Sequence, residues 1–527
     1  MDILTNERMK RIDEDTIARF CPGLELMERA GRKTAEYILD RFPEDDFRAA
    51  IFVGPGNNGG DGLVIARILA DKGRACSVLY LIAPEKLPMD AYKNYERLRK
   101  RVKKHKHLKE INLTRSDWVN LVGRELADSS LVVDGLFGTG LTRALEGAAL
   151  EIVKRINECG LPVISIDTPS GINGDSGEVL GDAIVADGTV TMGCPKLGLT
   201  IHPGKSYVGE LVIADLGFPD EVVENHSMGV YLLDRSDAAS RLSPRRPDAH
   251  KYSCGTALIV SGSQMYTGAT ILTAEAALRS GCGMVYAAVP ASIRALVEPQ
   301  MTEVITIPVP ETSDGTIAPG AWGAIQPYLE KADALVMGPG LSRHPETTEF
   351  VFEVLAKNAK PIIIDADGIN ALEGQAARLQ SLDVPAVITP HSGELARLLG
   401  KSIPSAAMER IETTRETAQS LGVTLVHKGA PTLISASSGH VWINHHGNSA
   451  LATAGTGDVL TGLIGGLLAQ GEDPLDAACM GCFLHGRAGE IASWDLGLRG
   501  VIAGDLISVI GEPMLELEAT AATNHHS

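Results

Sequence analysis

The sequence predicts an α/β protein of two domains, each built on a parallel β-sheet with helices on both faces. Short apolar runs alternate with segments long enough to form helices, a pattern typical of parallel sheets. The alternation breaks between Leu242 and Asp248, where two prolines and clustered charge occur, and then resumes. The length of 527 residues also exceeds what one ordinary core holds. We therefore predict a first domain over 1–228, a linker over 229–245, a second domain over 246–515 and a frayed tail over 516–527.

Each half of the chain supplies its own series of elements. In the first half, a helical pattern from Leu24 to Ile38 leads into a strand-like run from Ala49 to Val53, and a glycine-rich turn then opens another helix. Further strands of this half are predicted at 78–82, 131–134, 163–167 and 212–215. In the second half, strands are predicted at 256–260, 284–289, 334–337, 361–365, 386–389 and 424–428. Both halves thus follow the alternation of a parallel sheet.

The charge of the chain argues against two classes of partner. It carries 48 basic and 66 acidic residues, and a net charge of −18 disfavours non-specific binding to nucleic acid or anionic membranes. We interpret the basic stretch from Arg97 to Lys109 as a solvated helical face, because no second basic patch accompanies it. The apolar run from Val459 to Ala469 falls short of the roughly 18 residues that a membrane span requires. We expect neither a nucleic-acid nor a membrane partner.

The cysteines and the N-terminus predict a cytoplasmic protein. Eight cysteines are scattered along the chain and suggest no disulfide framework, as expected in a reducing compartment. The close pair Cys479 and Cys482, followed by His485, lies in an apolar helical pattern and is interpreted as a buried helix face rather than a metal site. Residues Met1 to Arg8 carry charges where a signal peptide needs an apolar core.

A glycine-rich loop in the first half predicts a phosphate-binding turn. Gly54, Gly56 and Gly59 follow a predicted strand, open a helix and satisfy the spacing G-x-G-x-x-G of dinucleotide-binding turns. The acidic residue that binds ribose in ordinary nicotinamide dehydrogenases is not cleanly placed, since Glu85 comes later than that pattern requires. The loop therefore favours a nucleotide ligand without predicting a dehydrogenase.

Two further loops of the first half carry oxygen ligands and a candidate proton-transfer group. They span Asp134 to Arg143 and Asp167 to Gly171, each at the end of a predicted strand, where ligands of parallel sheets collect. If these strands are neighbours, Asn58, Asp134 and Ser170 could offer oxygens to one hard cation, which leaves Asp167 free to transfer a proton. A turn-capping role for Asp167 is the structural alternative.

These loops, together with segments 9–14 and 26–31, resemble the NAD(P)HX epimerase domain, which interconverts the two epimers of hydrated NADH or NADPH. The resemblance implies a Rossmann-like three-layer sandwich, with Asp167 at the reacting nicotinamide ring. It implies a potassium ion held by Asn58, Asp134 and Ser170. It also implies substrate contacts from Asn57, Asn58, Gly59, Gly60, Asp61, Gly138, Thr139, Gly140, Leu141, Thr142, Arg143 and Ala144.

The most informative stretch of the second half runs from Gly455 to Gly462. Small residues at the start of an apolar helix expose backbone N–H groups, which together with the helix dipole can hold a phosphate. Asp458 in this turn can accept a proton from an attacking hydroxyl, as phosphoryl transfer requires. The structural alternative is a glycine turn that only serves helix packing.

Four other strand-end loops precede that turn: 261–269, 338–341, 389–394 and 428–432. Alone, His391 in the third loop would be interpreted as a structural histidine. The order of the loops resembles the ribokinase-like superfamily, a three-layer sandwich, and within it the ADP- or ATP-dependent NAD(P)HX dehydratases. The resemblance implies dehydratase substrate contacts from Ala269, Gly340, His391 and Asp458. It implies ADP or AMP contacts from Lys428, Gly429, Ala430, Pro431, Thr432 and Gly457.

Both resemblances together predict one bifunctional repair enzyme for NADHX and NADPHX. The first domain would epimerise the hydrate, and the second would dehydrate the S epimer with ADP, yielding AMP and phosphate, or with ATP, assisted by magnesium. We also expect a homo-oligomer. Two alternatives stay open at this point: a vitamin-precursor or sugar kinase with a Rossmann-like regulatory domain, and a non-catalytic nucleotide-binding scaffold.

Overall fold

The computed structural model describes residues 1–44 and 46–524. It divides into two compact units, Met1–Val230 and a second that begins at Tyr231. Both are α/β, as the sequence predicted. No helix in the described ranges combines the length and the hydropathy needed to cross a membrane.

The first unit contains nine α-helices and seven strands within these ranges. Its helices are α1 (Asn6–Arg19), α2 (Gly23–Arg41), α3 (Asn57–Asp71), α4 (Met89–Val102), α5 (Trp118–Ala127), α6 (Gly147–Glu158), α7 (Leu197–Thr200), α8 (Lys205–Val208) and α9 (Asp220–His226). Its strands are β1 (Arg48–Val53), β2 (Ala75–Tyr80), β3 (Leu108–Asn112), β4 (Leu131–Gly135), β5 (Val163–Ile166), β6 (Gly188–Met192) and β7 (Glu210–Ala214).

The seven strands form one parallel sheet in the order β3-β2-β1-β4-β5-β6-β7. Alternate residues of β1 pack into different cores: Ile51 joins one apolar cluster and Phe52 the other. The sheet is therefore covered on both faces, which explains its continuous apolar runs. The strand order reverses between β1 and β4, and ligands of such sheets bind beyond the carboxyl ends at this point.

The second unit continues the numbering. Its helices are α10 (Arg235–Ser240), α11 (Thr267–Arg279), α12 (Arg294–Val297), α13 (Ala321–Leu329), α14 (Pro345–Lys357), α15 (Asp367–Asn370), α16 (Ala377–Gln380), α17 (Ser392–Leu399), α18 (Ala407–Leu421), α19 (Thr456–Ala469), α20 (Pro474–Gly500), α21 (Ala503–Val509) and α22 (Gly511–Asn524). The strands are β8 (Val230–Leu233), β9 (Thr256–Val260), β10 (Met284–Pro290), β11 (Ile305–Val309), β12 (Ala334–Met337), β13 (Ile362–Ile364), β14 (Ala386–Ile388), β15 (Thr424–His427), β16 (Thr432–Ser435) and β17 (Val441–Asn444).

The second sheet has ten strands in the order β11-β10-β9-β12-β13-β14-β15-β16-β17-β8. Strands β11 to β15 are parallel, whereas β15, β16 and β17 pair antiparallel. Ile259 and Leu258, adjacent on β9, again belong to different apolar clusters, so helices cover both faces. Five neighbouring parallel strands, β9, β12, β13, β14 and β15, thus end at one edge of the sheet.

The structure corrects two predicted segments. The linker over 229–245 contains β8 and α10, and Ala238 and Ala239 of α10 are buried in the second unit's core. The tail predicted over 516–527 is helical as far as the structure describes it, because α22 places Leu517 in that core and packs Ala521 against it. Apolar residues at helical spacing explain why this segment forms a helix that packs on the core. Residues 525–527 lie outside the described ranges.

Candidate active sites

The first site lies where β1, β4 and β5 end side by side. Strand β1 leads through a short turn into α3, which is the predicted strand, turn and helix. Gly54 is required here, since a β-carbon at this position would lie 1.6 Å from the carbonyl oxygen of Leu136. The turn is thus pressed against the loop that follows β4, and the two predicted substrate loops are neighbours.

The three proposed cation ligands behave differently in the structure. Asp134 is fully buried and accepts hydrogen bonds from the Oγ of Ser165 (3.0 Å) and from the N (2.8 Å) and Oγ (2.6 Å) of Ser170. Burial raises the pKa of Asp134, and these hydrogen bonds oppose that effect. By contrast, the buried amide oxygen and nitrogen of Asn58 have no hydrogen-bond partner among the described residues. An orphaned buried amide is costly unless a ligand satisfies it.

Asp167 follows β5 in an unusual backbone conformation, with a φ of 64°. This left-handed region is uncommon for residues other than glycine, although aspartate tolerates it, and such strain clusters at functional sites. Its Oδ1 accepts from the Nζ of Lys196 and the N of Met192. Its Oδ2 faces the loop after β4, where a β-carbon on Gly138 would lie 3.4 Å away. The structure therefore places Asp167 against the predicted substrate loop.

Two further acids surround this carboxylate. Burial raises the pKa of Asp13 on α1 to about 6, while Lys196 lowers it and Asp167 raises it. Burial also raises the pKa of Asp61 on α3 well above its usual range, with further contributions from Asp167 and Asp13. Carboxyl groups with such perturbed values in a ligand cleft are candidates for proton transfer.

The second site is built around the start of α19. The residue before it, Gly455, has a φ of 89°, and Asp458 lies in the first turn of the helix. The pKa of Asp458 is raised to about 7, first by burial and then by Asp365, while Lys428 lowers it. An acid that titrates near neutral pH suits general base catalysis.

Asp365 and Lys428 form a buried pair beside this turn. The Nζ of Lys428 lies 2.8 Å from Oδ1 of Asp365, and Oδ2 of Asp365 accepts from Oγ1 of Thr461 on α19 at 2.7 Å. Lys428 Nζ also lies 3.8 Å from Oε2 of Glu394. A β-carbon built on Gly457 would lie 3.6 Å from Lys428 Nζ. The ends of β13 and β15 and the start of α19 are thus joined at one point.

The other predicted dehydratase residues belong to the neighbouring loops. His391 caps α17, and its Nδ1 accepts a hydrogen bond from the backbone N of Gly393 at 2.9 Å. The other ring nitrogen, Nε2, lies 3.5 Å from Oε1 of Glu394. A β-carbon built on Gly340 would lie 2.9 Å from that of Ala269, so these two loops are in contact. His391 therefore has a structural role as a cap, and its ring is 54% exposed for any second role.

A cation that was not predicted from the sequence lies next to the loop from Lys428 to Thr432. A guanidinium nitrogen of Arg410 on α18 donates to the carbonyl oxygen of Pro431 at 3.3 Å. Burial lowers the pKa of Arg410, and no carboxylate pairs with it among the described residues. Arg410 adds positive charge next to the predicted nucleotide loop.

Comparison with known proteins decides the family. Residues 257–511 match the family model described as NAD(P)H-hydrate dehydratase, and residues 23–198 match the model described as YjeF-related protein N-terminus. The bifunctional NAD(P)H-hydrate repair enzyme of Moorella thermoacetica is 38% identical over 527 residues, which cover 99% of this chain and 98% of that protein. This chain belongs to the bifunctional NAD(P)H-hydrate repair enzymes.

Other repair enzymes are similarly close. That of Thermofilum pendens is 37% identical over 518 residues, covering 98% of this chain and 97% of that protein. Among solved structures, the ADP/ATP-dependent NAD(P)H-hydrate dehydratase from Bacillus subtilis, co-crystallised with ATP and Mg²⁺, is 29% identical. It covers 55% of this chain and 100% of its own, with a TM-score of 0.48. The family prediction is confirmed, and the two alternatives of a regulated kinase and a non-catalytic scaffold are set aside.

The repair-enzyme architecture brings the predicted residues into two groups, one in each unit. It also adds residues that sequence reasoning missed. Asp365 closes a predicted strand, so the rule that ligands collect at strand ends could have found it. Lys196 follows β6, a strand that the sequence analysis did not identify. Asp13 lies within the segment that carries the epimerase resemblance, but no spacing singled it out.

Proposed function

We propose that the first unit interconverts the R and S epimers of NADHX and NADPHX, and that the second unit restores NADH or NADPH from the S epimer with ADP as phosphoryl donor. The observation that carries the proposal is the position of Asp458 in the first turn of α19, beside the buried pair of Lys428 and Asp365; its raised pKa of about 7 supports the same role. A base that is poised near neutral pH at a phosphate-binding helix start fits phosphoryl transfer to a hydroxyl.

In the first unit, Asp167 transfers the proton that epimerisation requires. Its Oδ2 faces Gly138, and residues 138–144 and 57–61 are assigned to substrate binding. Buried Asp61 and half-buried Asp13 act electrostatically on the same carboxylate, and the strongly raised pKa of Asp61 limits the negative charge that it places near an anionic dinucleotide.

The residues of the first unit fit a potassium ion. The orphaned amide of Asn58 is the observation that supports the fit, since an oxygen-ligated cation would satisfy its oxygen. Asp134 supplies a buried carboxylate and Ser170 a hydroxyl. Bound there, the ion would tie the loops after β1, β4 and β5 together and offset the buried charge.

In the second unit, Asp458 accepts the proton of the ring hydroxyl as the terminal phosphoryl group of ADP is transferred to that oxygen, and AMP is released. The carbon–oxygen bond then breaks, phosphate leaves with its electron pair and a ring proton is lost, which restores the reduced nicotinamide. Phosphorylation is needed because hydroxide is a poor leaving group. We assign nucleotide contacts to residues 428–432 and Gly457, and contacts to the hydrate to Ala269, Gly340 and His391.

Magnesium fits this site as a companion of the nucleotide rather than as a resident ion. No group of three or more His, Cys, Asp or Glu residues that could hold a metal occurs in the described ranges. Mg²⁺ usually binds through substrate phosphates and one or two carboxylates, and Asp367 is the carboxylate near Asp458 that is not paired with Lys428. The ion would neutralise charge on the transferring phosphates.

Coupled assays test this proposal. Purified S epimer is given to the enzyme with ADP, with ATP or without donor, while absorbance of the reduced nicotinamide and free phosphate are followed. We expect recovery of absorbance only with a donor, fastest with ADP, together with phosphate release. Recovery without phosphate release would reject the mechanism. A homo-oligomeric state and a cytoplasmic location stay predictions, which size-exclusion chromatography and fractionation address.

A further inference from the structure

Lys196 is a fully buried cation in the first unit, with a side chain only 1% exposed. Its ammonium group reaches three acceptors: Oδ1 of Asp167, Oγ1 of Thr191 at 3.1 Å and the carbonyl oxygen of Met192 at 3.0 Å. An ammonium group has three N–H donors, so all of them are used. Lys196 therefore acts through these partners and not on a ligand directly.

The two oxygens of Asp167 have different surroundings. Oδ1 accepts from Lys196 and from the N of Met192 at 3.2 Å, and lies 3.4 Å from Oγ1 of Thr191. Oδ2 has no hydrogen-bond partner within the described ranges and is directed at Gly138. The contacts on Oδ1 fix the plane of the carboxylate and leave Oδ2 for the substrate loop.

The surroundings of this pair are rich in acids. Asp13 reaches it from α1 and Asp61 from α3, and Lys196 is the cation whose charge acts on both. Cys194, on the same loop as Lys196, is neutral because burial raises the pKa of its thiol to about 11. Without Lys196, three carboxyl groups would share a buried space, where they could not all ionise.

We propose that Lys196 is a positioning residue for epimerisation, which holds Oδ1 of Asp167 so that Oδ2 meets the reacting ring and which places one positive charge beside Asp167, Asp13 and Asp61. The inference rests on the proposed epimerase function. The competing explanation is a structural lysine that only satisfies Thr191 and the carbonyl group of Met192.

The test compares the pH dependence of epimerisation in wild type, Lys196→Met and the matched control Thr191→Val. The control removes one acceptor of the same ammonium group, together with the weak hydrogen bond from Oγ1 of Thr191 to Oδ1 of Asp167, but leaves the charge of Lys196 in place. We expect Lys196→Met to lower kcat by roughly 10²-fold, within the range for proton-transfer groups, with KM changed much less. The acidic limb of its profile should move to higher pH, because the cation that lowers the pKa values of Asp13 and Asp61 is gone. Thr191→Val should keep the wild-type limb.

Equal loss at every pH, or a limb that moves in the control as much as in Lys196→Met, would overturn the proposal. If Lys196→Met does not fold, Lys196→Arg replaces it. The retained charge should keep the acidic limb near its wild-type position despite a lower kcat. A shifted limb in Lys196→Arg would overturn the proposal.

A second measurement separates this inference from the proposed function. The carboxyl carbon of Asp13, whose pKa of about 6 is lowered by Lys196, is labelled with ¹³C, identified by its loss in Asp13→Asn and titrated by NMR in wild type and in Lys196→Met. We expect its midpoint to rise in Lys196→Met even if the wild type shows no epimerisation, in which case the proposed function fails alone. An unchanged midpoint would overturn the inference.

Discussion

The Nζ of Lys428 lies 2.8 Å from Oδ1 of Asp365, and this pair adjoins the helix turn that carries Asp458. The second oxygen of Asp365 is held by Thr461 at 2.7 Å. The pair acts on Asp458 in opposite directions, since Asp365 raises the pKa of Asp458 and Lys428 lowers it. The chemistry of the second unit therefore depends on a balance of charges that the fold sets.

Asp458→Asn should abolish dehydration and leave epimerisation intact. The amide keeps the size of the side chain but accepts no proton, and such groups contribute roughly 10²–10⁴-fold to rate. Calorimetry should still detect nucleotide binding, which separates catalysis from folding. Near wild-type recovery of reduced dinucleotide by this variant would show that Asp458 is not the base.

Dehydration by the wild type should rise with pH through about 7. Burial raises the pKa of Asp458 to about 7, so below this pH the group is protonated and cannot accept the hydroxyl proton. Epimerisation, measured in the same samples, serves as the control for inactivation. A dehydration rate that is flat between pH 5 and 8 would contradict this assignment.

Lys428→Met should destabilise the second unit by about 3 kcal/mol, which is the low end of the range for a broken buried ion pair. We expect the low end because the side chain of Lys428 is 20% exposed, although that of Asp365 is only 1% exposed. The cost arises from a carboxylate left without its cation. The double variant Lys428→Met/Asp365→Asn should lose less, since no buried charge is left alone. Denaturant unfolding of Lys428→Met, Asp365→Asn and the double variant gives the comparison. A loss of stability in the double variant that equals the sum of the two single losses would argue against a coupled pair.

Asp167→Asn should stop epimerisation while the second unit still consumes its own epimer. An equilibrium mixture should then be restored in two phases, the first enzymatic and the second limited by spontaneous epimerisation. Absorbance recovery with excess ADP measures both phases. Complete restoration in a single fast phase would remove Asp167 from the mechanism.

Replacing potassium by tetramethylammonium should slow epimerisation and spare dehydration. The expectation follows from the unpartnered amide of Asn58 next to buried Asp134, a site too confined for a bulky organic cation. Assays on the mixed epimers and on pure S epimer in both salts separate the two units. Equal epimerisation in both salts would argue against an ion in the first unit.

Gly54→Ala and Gly56→Ala form a matched pair in the first loop. A β-carbon on Gly54 would lie 1.6 Å from backbone oxygen of Leu136, whereas one on Gly56 meets nothing within 4 Å. We expect a loss of about 3 kcal/mol for Gly54→Ala, the upper end for overpacking, and little change for Gly56→Ala. Thermal unfolding of the two variants tests this, and similar melting temperatures would contradict the close approach.

Much of the fold was predictable, because parallel strands with both faces buried are continuous apolar runs. The runs at 49–53 and 256–260 are examples. Strands β3 and β6 were not predicted because they lack such runs: β3 is an edge strand of mixed polarity, and β6 contains Gly188, Thr189 and Thr191. The stretch from Arg97 to Lys109 is accordingly helical only to Val102 and enters β3 at Leu108.

The candidate sites were predictable where function follows strand ends, as for Asp134, Asp167 and Lys428. Lys196 was not, because its importance depends on a contact with Asp167 across 29 residues that follows from the missed strand β6. Asn58 could be named as a ligand, but only the structure shows that its amide is buried without a partner.

The most direct test of the account is the stoichiometry of repair on an epimer mixture. The wild type, given excess ADP, is followed to completion while NADH restored, phosphate released and AMP formed are counted together. We predict complete restoration, with one phosphate and one AMP for each NADH, and no phosphorylated dinucleotide in the product. Full restoration without phosphate release, or phosphate retained on the product, would contradict the proposal that the two units act in sequence on one substrate.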